Sequence, residues 1–353
     1  MVIRETLDEN RAHLLSYRQE LVARYLAIPR GAVKCKTIRG QEYIYLQRRE
    51  GGAVKDEYLG KPEEDQVKAV LSLIAKRKEI LSELKTVKES LRGLALTIRE
   101  VSRQDFTPEL REFFLEMGEA GLWEAGLEIV GSWCFTFYQQ YYGVQDFPVR
   151  TLDLDIVVPL PYRGPKKDIS ALLRKLGFEE RYHYDSGTVT YIKSGYEIEL
   201  LGPERGRGGV RADVEPLRVN AQLLRFMDLL LDNKIYVTVT GVGKVAIPSM
   251  PAFFLHKLLI APRRTQLHKQ QKDLRQAWEV AKALWADDPL AERTKTLIRK
   301  ELHPSWRKTI ETKSIPLLNT HVVRDQKHLS AVLQRIGLHE ESGSEEIDNP
   351  QQF

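Results

Sequence analysis

The stretch "VRTLDLDIVV", residues 149–158, sets two aspartates one residue apart inside an apolar run, and "LEIVGS" at 127–132 ends another apolar run in Gly-Ser. In a β-strand, successive side chains point to opposite faces. Asp153 and Asp155 therefore share one face, with Cα atoms about 6.6 Å apart, while Leu152, Leu154 and Ile156 take the other, into the core. Two carboxylates side by side disfavour each other's ionisation unless a cation lies between them. A hard divalent ion is the natural solution. Magnesium fits best, because it is commonly held by one or two carboxylates and completes its shell with water and substrate phosphates.

The Gly131-Ser132 step supplies the complement. Glycine lets a ligand approach the backbone, and the helix predicted in "WCFTFYQQYY" offers unpaired N–H groups and a positive dipole end to phosphate. Phosphate on one side and paired metal ligands on the other describe a nucleoside triphosphate site.

With 353 residues, 42% hydrophobic and 29% charged, the chain is long enough for two or three globular modules. It has no run of about 18 apolar residues, and the start "MVIRETLDENRAH" lacks the apolar core of a signal peptide, so a cytoplasmic protein with no membrane partner is expected. Cys35 and Cys134 make neither a disulfide framework nor a zinc site, and each reads as a small buried apolar residue. The net charge of +5 is mild. The first hundred residues hold 20 Lys and Arg against 15 Asp and Glu, an excess equal to that of the whole chain.

Residues 5–27 read as an amphipathic helix ended by "IPRG". In "GAVKCKTIRGQEYIYLQRREGGAVKDEYLGK" (31–61), Tyr43 and Tyr45 alternate with Ile44 and Leu46, and turns fall at Arg39-Gly40 and Gly51-Gly52. That pattern predicts a three-stranded antiparallel meander. A long helix follows Pro62, its near-heptad seam interrupted by Arg77 and Lys78, so a helical hairpin with the first helix competes with a coiled-coil dimer. Strands and helices then alternate: a helix in "PELREFFLEMGEAGL", strands in "LEIVG" and "LDLDIVVPL", a helix in "DISALLRKLGF", and two strands around Ser194-Gly195. Helices are expected at 217–231, 250–261, 265–286 and 288–302, with a strand pair in "KIYVTVTGVGKVAIP". The resulting division is an N-terminal module at 1–105, suited to nucleic acid or a partner, an α/β core at 106–215, a mainly helical part at 216–338, and a disordered acidic tail at 339–353. No internal repeat is visible.

At "GSWCF", "LDLDIVV", "EIELLGPERGRG", "FFLHKLL" and "KQQKDLRQA" the chain resembles the nucleotidyltransferase superfamily typified by DNA polymerase beta, over roughly residues 120–290. In style it is similar to uncharacterised bacterial members and to toxin-type ones of abortive-infection systems. The resemblance implies an α+β fold with a polymerase-beta-like core of mixed sheet and helices. It also implies catalytic, metal-holding roles for Asp153, Asp155 and Glu199. Gly131 and Ser132 would meet the terminal phosphates, Lys257 and Lys272 would border the nucleotide, and Asp273 would orient a base. Two magnesium ions, replaceable by manganese, a nucleoside triphosphate, an RNA or transfer RNA acceptor and a cognate antitoxin are the implied cofactor and partners. The chain departs from the superfamily in the 20 residues between Ser132 and Asp153, which the helix and the loop "GVQDFPVRT" must absorb, and in a glutamate as third acid.

Each motif also has a plainer reading. Asp-x-Asp occurs on surface strands and in sugar-nucleotide glycosyltransferases, but a surface strand is not expected to continue as "IVVPL". Glu197 and Glu199 share a face, and Glu199 is chosen because it directly precedes "LLGP". Taken singly, Lys257 and Lys272 read as surface lysines, and His183 and His256 as structural. Lys34, Lys36, Arg48, Arg49 and Lys55 around Tyr43 and Tyr45 form either a nucleic-acid patch or a solvated sheet face. The expected activity is magnesium-dependent nucleotidyl transfer. Its rival is a catalytically inactive nucleic-acid-binding or regulatory protein that keeps the fold.

Overall fold

The computed structural model describes residues 2–28, 31–50, 53–94, 100–101, 106–142, 144, 152–206, 209–323 and 326–338. The expected acidic tail and most of the loop "GVQDFPVRT" lie outside them. Helix α1 (Val2–Ala27) leads into the meander β1 (Ala32–Ile38), β2 (Gln41–Glu50) and β3 (Ala53–Gly60), antiparallel throughout, and then into α2 (Asp65–Leu94). The two helices form an intramolecular hairpin. Tyr17 Oη donates to Glu83 at 2.6 Å, and Arg77 Nη2, from the residue that breaks the heptad seam, donates to Tyr25 Oη at 2.9 Å.

The meander buries Ile44 and Leu46 but leaves most of β1 uncovered, so Cys35 is exposed, against the expectation of a buried thiol. Strand register also divides the expected basic patch. Lys34 and Lys36 share a face with Tyr43, Tyr45 and Tyr58, whereas Arg48 and Lys55 sit opposite each other on the Ile44 and Leu46 face, where Arg48 pairs with Glu57. The side chain of Arg49 lies outside the described residues.

Beyond β4 (Glu100–Val101), α3 (Pro108–Glu119) begins with proline in its first turn, where no intrahelical N–H is needed. Strand β5 (Glu128–Val130) passes through a 3-10 turn (Gly131–Trp133) into α4 (Cys134–Tyr142), and β6 (Asp153–Val157) follows. Helix α5 (Ile169–Lys175) is capped by Asp168, whose side chain accepts from Ala171 N at 2.8 Å. Strands β7 (Glu179–His183), β8 (Thr188–Lys193) and β9 (Tyr196–Pro203) form a second meander.

The segment expected to be helical at 217–231 is instead part of a strand pair, β10 (Arg211–Val214) and β11 (Val219–Leu224), followed by the short α6 (Met227–Leu231). Arg218 and Phe226 adopt left-handed φ values of 51° and 67°, which end helical continuity on both sides of β11. Pairing with the edge of β9 overrides the helical apolar spacing. The hairpin β12 (Lys234–Val239) and β13 (Gly243–Pro248) precedes α7 (Met250–Ile260), α8 (Leu267–Ala286), α9 (Asp288–Thr296), α10 (Pro304–Thr309), α11 (Ile315–His321) and α12 (Gln326–Arg335).

The main sheet is mixed, in the order β10-β11-β9-β6-β5-β13-β12-β4, with β8 also pairing β9 and β7 pairing β8. Strand β9 therefore forks: its first half pairs antiparallel with β8, and its end pairs parallel with β11. Leu154, Ile156 and Val157 are fully buried, as are Phe113, Phe114, Trp123 and Phe137, whose rings pack against one another. Leu152, expected in the core, precedes the strand and is 46% exposed. The α1–α2 hairpin shares this core through Leu21, Val22 and Tyr25. It is held to the C-terminal helices by Tyr25 against Trp285 (ring centroids 5.8 Å apart) and by Lys88 with Asp288 (2.9 Å).

Candidate active site

Strand β6 lies between β5 and β9. In the parallel pair with β9, Asp153 is in register with Glu197 and Asp155 with Glu199, so all four carboxylates share one face. Across the antiparallel pair with β5, Asp155 faces Val130, one residue before the turn. Gly131 has φ +71°, and a Cβ there would stand 2.2 Å from Asp155 Oδ2. Only glycine satisfies both the backbone and the close approach. The phosphate-binding candidate and the first acid strand are thus in direct contact.

Asp155 is half-buried, and its carboxyl is pushed up to about 7 by burial and then by the charge of Glu199, with Lys257 working in the opposite direction. Burial, then Asp153 and Glu197, also raise the Glu199 carboxyl, and His183 and Lys269 ease it. Glu197 is otherwise engaged, its Oε1 accepting from Arg181 Nη1 at 3.1 Å. The choice between the two glutamates thus has a structural correlate: Glu199 stands beside Asp155, and Glu197 stands beside Asp153 in an exposed ion pair.

Helices α7 and α8 bring the later candidates to this face. Lys257 is no surface lysine: it is 5% exposed, and its Nζ donates to Asp273 Oδ1 at 2.6 Å. Arg264 Nε donates to the other oxygen, Oδ2, at 2.7 Å. Burial works against the charge of Asp273, yet the two cations outweigh it and hold the carboxyl below its usual range. Both oxygens of Asp273 are engaged, one tying α8 to Lys257 on α7 and the other to Arg264 in the connection between the two helices. Lys272 is half-buried. Burial and then Lys257 lower its pKa, and Asp153, Asp273 and Asp155 oppose that shift, which puts its ammonium within electrostatic reach of the β6 acids. His256 is buried, driven down to about 3 by burial and Lys257, and therefore neutral. Cys134 is buried with a raised thiol pKa and donates to Ile129 O at 3.4 Å, a structural role.

Two participants, Gln276 and Arg264, were not singled out in the sequence, and a third, His183, was read there only as structural. Gln276, fully buried, donates from Nε2 to Ser132 Oγ at 3.1 Å and so links α8 to the Gly-Ser turn. Arg264 completes the Asp273 pair. His183 bonds Thr190 Oγ1 at 2.8 Å beside Glu199. The signal for Gln276 lay in spacing: Lys269, Lys272, Asp273 and Gln276 fall at i, i+3, i+4 and i+7, one polar stripe along α8.

The residues fit a hard cation in their donor chemistry. Asp153, Asp155 and Glu199 offer carboxylate oxygens from two adjacent strands; burial first, and then the charge of neighbouring carboxylates, raise Asp155 and Glu199, and a divalent ion would offset both. Among the described residues, no group of three or more His, Cys, Asp or Glu side chains is gathered closely enough to hold an ion as it stands.

Residues 109–298, more than half of the chain, match the family described as Nucleotidyltransferase. The chain belongs to this nucleotidyltransferase family. The match begins in α3, takes in every candidate site residue and ends inside the helical part. Residues 3–69 match a domain of unknown function (DUF6788). The crystal structure of an antigenic nucleotidyltransferase-like protein from Paracoccidioides brasiliensis is similar at 15% identity over 64% of this nucleotidyltransferase and 92% of that chain, with a TM-score of 0.34. No curated protein matches. No helix among the described residues is long and apolar enough to cross a membrane.

Proposed function

We propose that the protein transfers a nucleoside monophosphate from a nucleoside triphosphate to an acceptor hydroxyl on RNA, such as transfer RNA, in a magnesium-dependent reaction that releases pyrophosphate. The observation that carries this reading is the β6–β9 register, which sets Asp155 beside Glu199 on the face that Gly131 opens.

Asp153, Asp155 and Glu199 would hold the cations. When bound, magnesium ions supply charge neutralisation at the attacking and leaving oxygens and lower the pKa of the acceptor hydroxyl. The N–H groups at the start of the Gly131–Trp133 turn bind the terminal phosphates, and the Ser132 hydroxyl, oriented by Gln276, donates to them. Lys272 offsets phosphate charge. Glu199, in register with Asp155 on the same face, takes the proton of the acceptor hydroxyl. That oxygen forms a bond to the α-phosphorus, the bond from the α-phosphorus to its bridging oxygen breaks, and the electron pair leaves with pyrophosphate. The Lys257–Asp273–Arg264 cluster keeps α7 and α8 in place above the acids.

The test is to incubate the full chain with magnesium and each of four α-labelled nucleoside triphosphates, against separate pools of total RNA and of protein. Label in RNA is expected with at least one triphosphate. Label in neither pool with any of the four would overturn the proposal.

A further inference from the structure

The fork in β9 leaves a recess on the acid-bearing face. Where β8 ends as a partner of β9 and β11 begins, a cavity of about 160 Å³ opens, lined by His183, Ser186, Thr188, Thr190, Glu199 and Gln222 together with Val189 and Leu200. Register explains why these polar groups converge. Thr190 is opposite Glu199, Thr188 is opposite His183, and Gln222 is opposite Leu201, two residues beyond Glu199, so all of them project to one side of the sheet.

The cavity wall is pre-organised. His183 bonds Thr190 Oγ1 at 2.8 Å, and the Ser186 and Thr188 hydroxyls are 2.6 Å apart. Thr188 and Thr190 are 8% and 3% exposed, in strand positions that apolar residues could fill. A hydroxyl has one donor and two acceptor sites, so each of these groups retains capacity for a ligand after its internal bond.

Three features narrow the ligand. No lysine or arginine is among the lining residues, which disfavours phosphate, and Arg181 nearby is already paired with Glu197. The volume is below the roughly 300 to 1,000 Å³ of a site for a drug-sized ligand, so the recess suits a single small ring and not a nucleotide. Hydroxyl, imidazole and amide groups around one carboxylate match several neighbouring hydroxyls, whereas a lone aliphatic hydroxyl would leave most of them unused.

We propose that this recess is the acceptor subsite and that it takes a neutral sugar ring with vicinal hydroxyls, one of them presented to Glu199. This inference rests on the nucleotidyl-transfer reading of the same face. The sugar could be free or the terminal ribose of an RNA chain, since both carry the same diol.

The test uses methyl β-D-ribofuranoside and its 2-deoxy analogue as probes, read by saturation-transfer NMR on the full chain with magnesium. The parent should bind the ribofuranoside, and the deoxy analogue at least about fivefold more weakly, consistent with one lost hydrogen bond. The Thr190→Val/Gln222→Leu double variant should lose the ribofuranoside signal while keeping triphosphate affinity within about twofold. A parent that ignores the ribofuranoside, or binds both glycosides equally, would overturn the proposal, and this comparison needs no variant to fold. Equal ribofuranoside binding by parent and double variant would do the same. Labelled triphosphate offered with the glycoside, and separately with an RNA oligonucleotide ending in ribose, identifies the source of the diol by which acceptor becomes labelled. Glycoside binding without label in either acceptor removes the acceptor role. Loss of triphosphate binding by the parent, with the glycoside still bound, counts against nucleotidyl transfer and leaves the sugar site standing.

Discussion

Gln276 Nε2 donates to Ser132 Oγ at 3.1 Å, joining the middle of α8 to the Gly-Ser turn across 144 residues of chain. Both side chains are buried, so the bond fixes the rotamer of the Ser132 hydroxyl, which is expected to meet the phosphates. Gln276→Leu should weaken triphosphate affinity roughly fivefold, the value of one net hydrogen bond. Ser132→Ala should add little on top of it. Isothermal titration on the two single variants and the double variant checks this, and fully additive losses would remove the coupling.

Gly131 touches Asp155 closely enough that a Cβ would fall 2.2 Å from its carboxylate oxygen. Gly131→Ala should therefore displace Asp155 or the turn, adding about 1 kcal/mol of backbone strain at φ +71°. Triphosphate affinity should fall at least tenfold while circular dichroism stays that of the parent. Unchanged affinity would separate the turn from the nucleotide.

The two lysines divide between fold and ligand. Lys257 and Asp273 form a buried pair with side chains 6% and 4% exposed, and breaking such a pair costs roughly 3–5 kcal/mol. Lys257→Met should lower Tm by at least about 5 °C. Lys272→Ala should leave Tm nearly unchanged and weaken triphosphate binding about tenfold or more. Thermal melts beside titrations distinguish these outcomes, and a large Tm loss in Lys272→Ala would reverse the assignment.

Glu128 is fully buried on β5, neither carboxyl oxygen has a hydrogen-bond partner among the described residues, and burial raises its pKa to about 8. Its folded pKa lies above its unfolded value of 4.5. The stability it contributes is therefore complete below pH 4.5 and is lost as pH rises toward 8, by at most about 1.4 kcal/mol per pH unit. Tm of the parent should fall more steeply between pH 5 and 8 than Tm of Glu128→Gln. Parallel Tm profiles for the two proteins would contradict this origin.

Much of this site was legible from local pattern because strand alternation and a Gly-Ser turn are short-range signals. The shared face of Asp153 and Asp155 and the meander around Tyr43 follow from strand alternation, and Gly131 from the Gly-Ser step between a strand and a helix. The segment at 217–231 did not, because β11 exists through long-range pairing with β9, which outweighs its helical spacing. Likewise, Lys257 looks like a surface lysine until Asp273, 16 residues away, supplies its buried partner. The separation of Lys34 and Lys36 from Arg48 and Lys55 required the register of the meander, which residue type alone does not specify.

In the proposed reaction Glu199, aligned with Asp155, activates the acceptor hydroxyl, and transfer of label from α-labelled triphosphate to RNA by Glu199→Gln and Glu197→Gln tests that role most directly. Glu199→Gln should lose about 10²- to 10⁴-fold in turnover while still binding triphosphate, because the proton acceptor is gone. Glu197→Gln should remain within about threefold of the parent, since it removes an exposed ion pair with Arg181. Full transfer by Glu199→Gln, with or without loss in Glu197→Gln, would contradict the account.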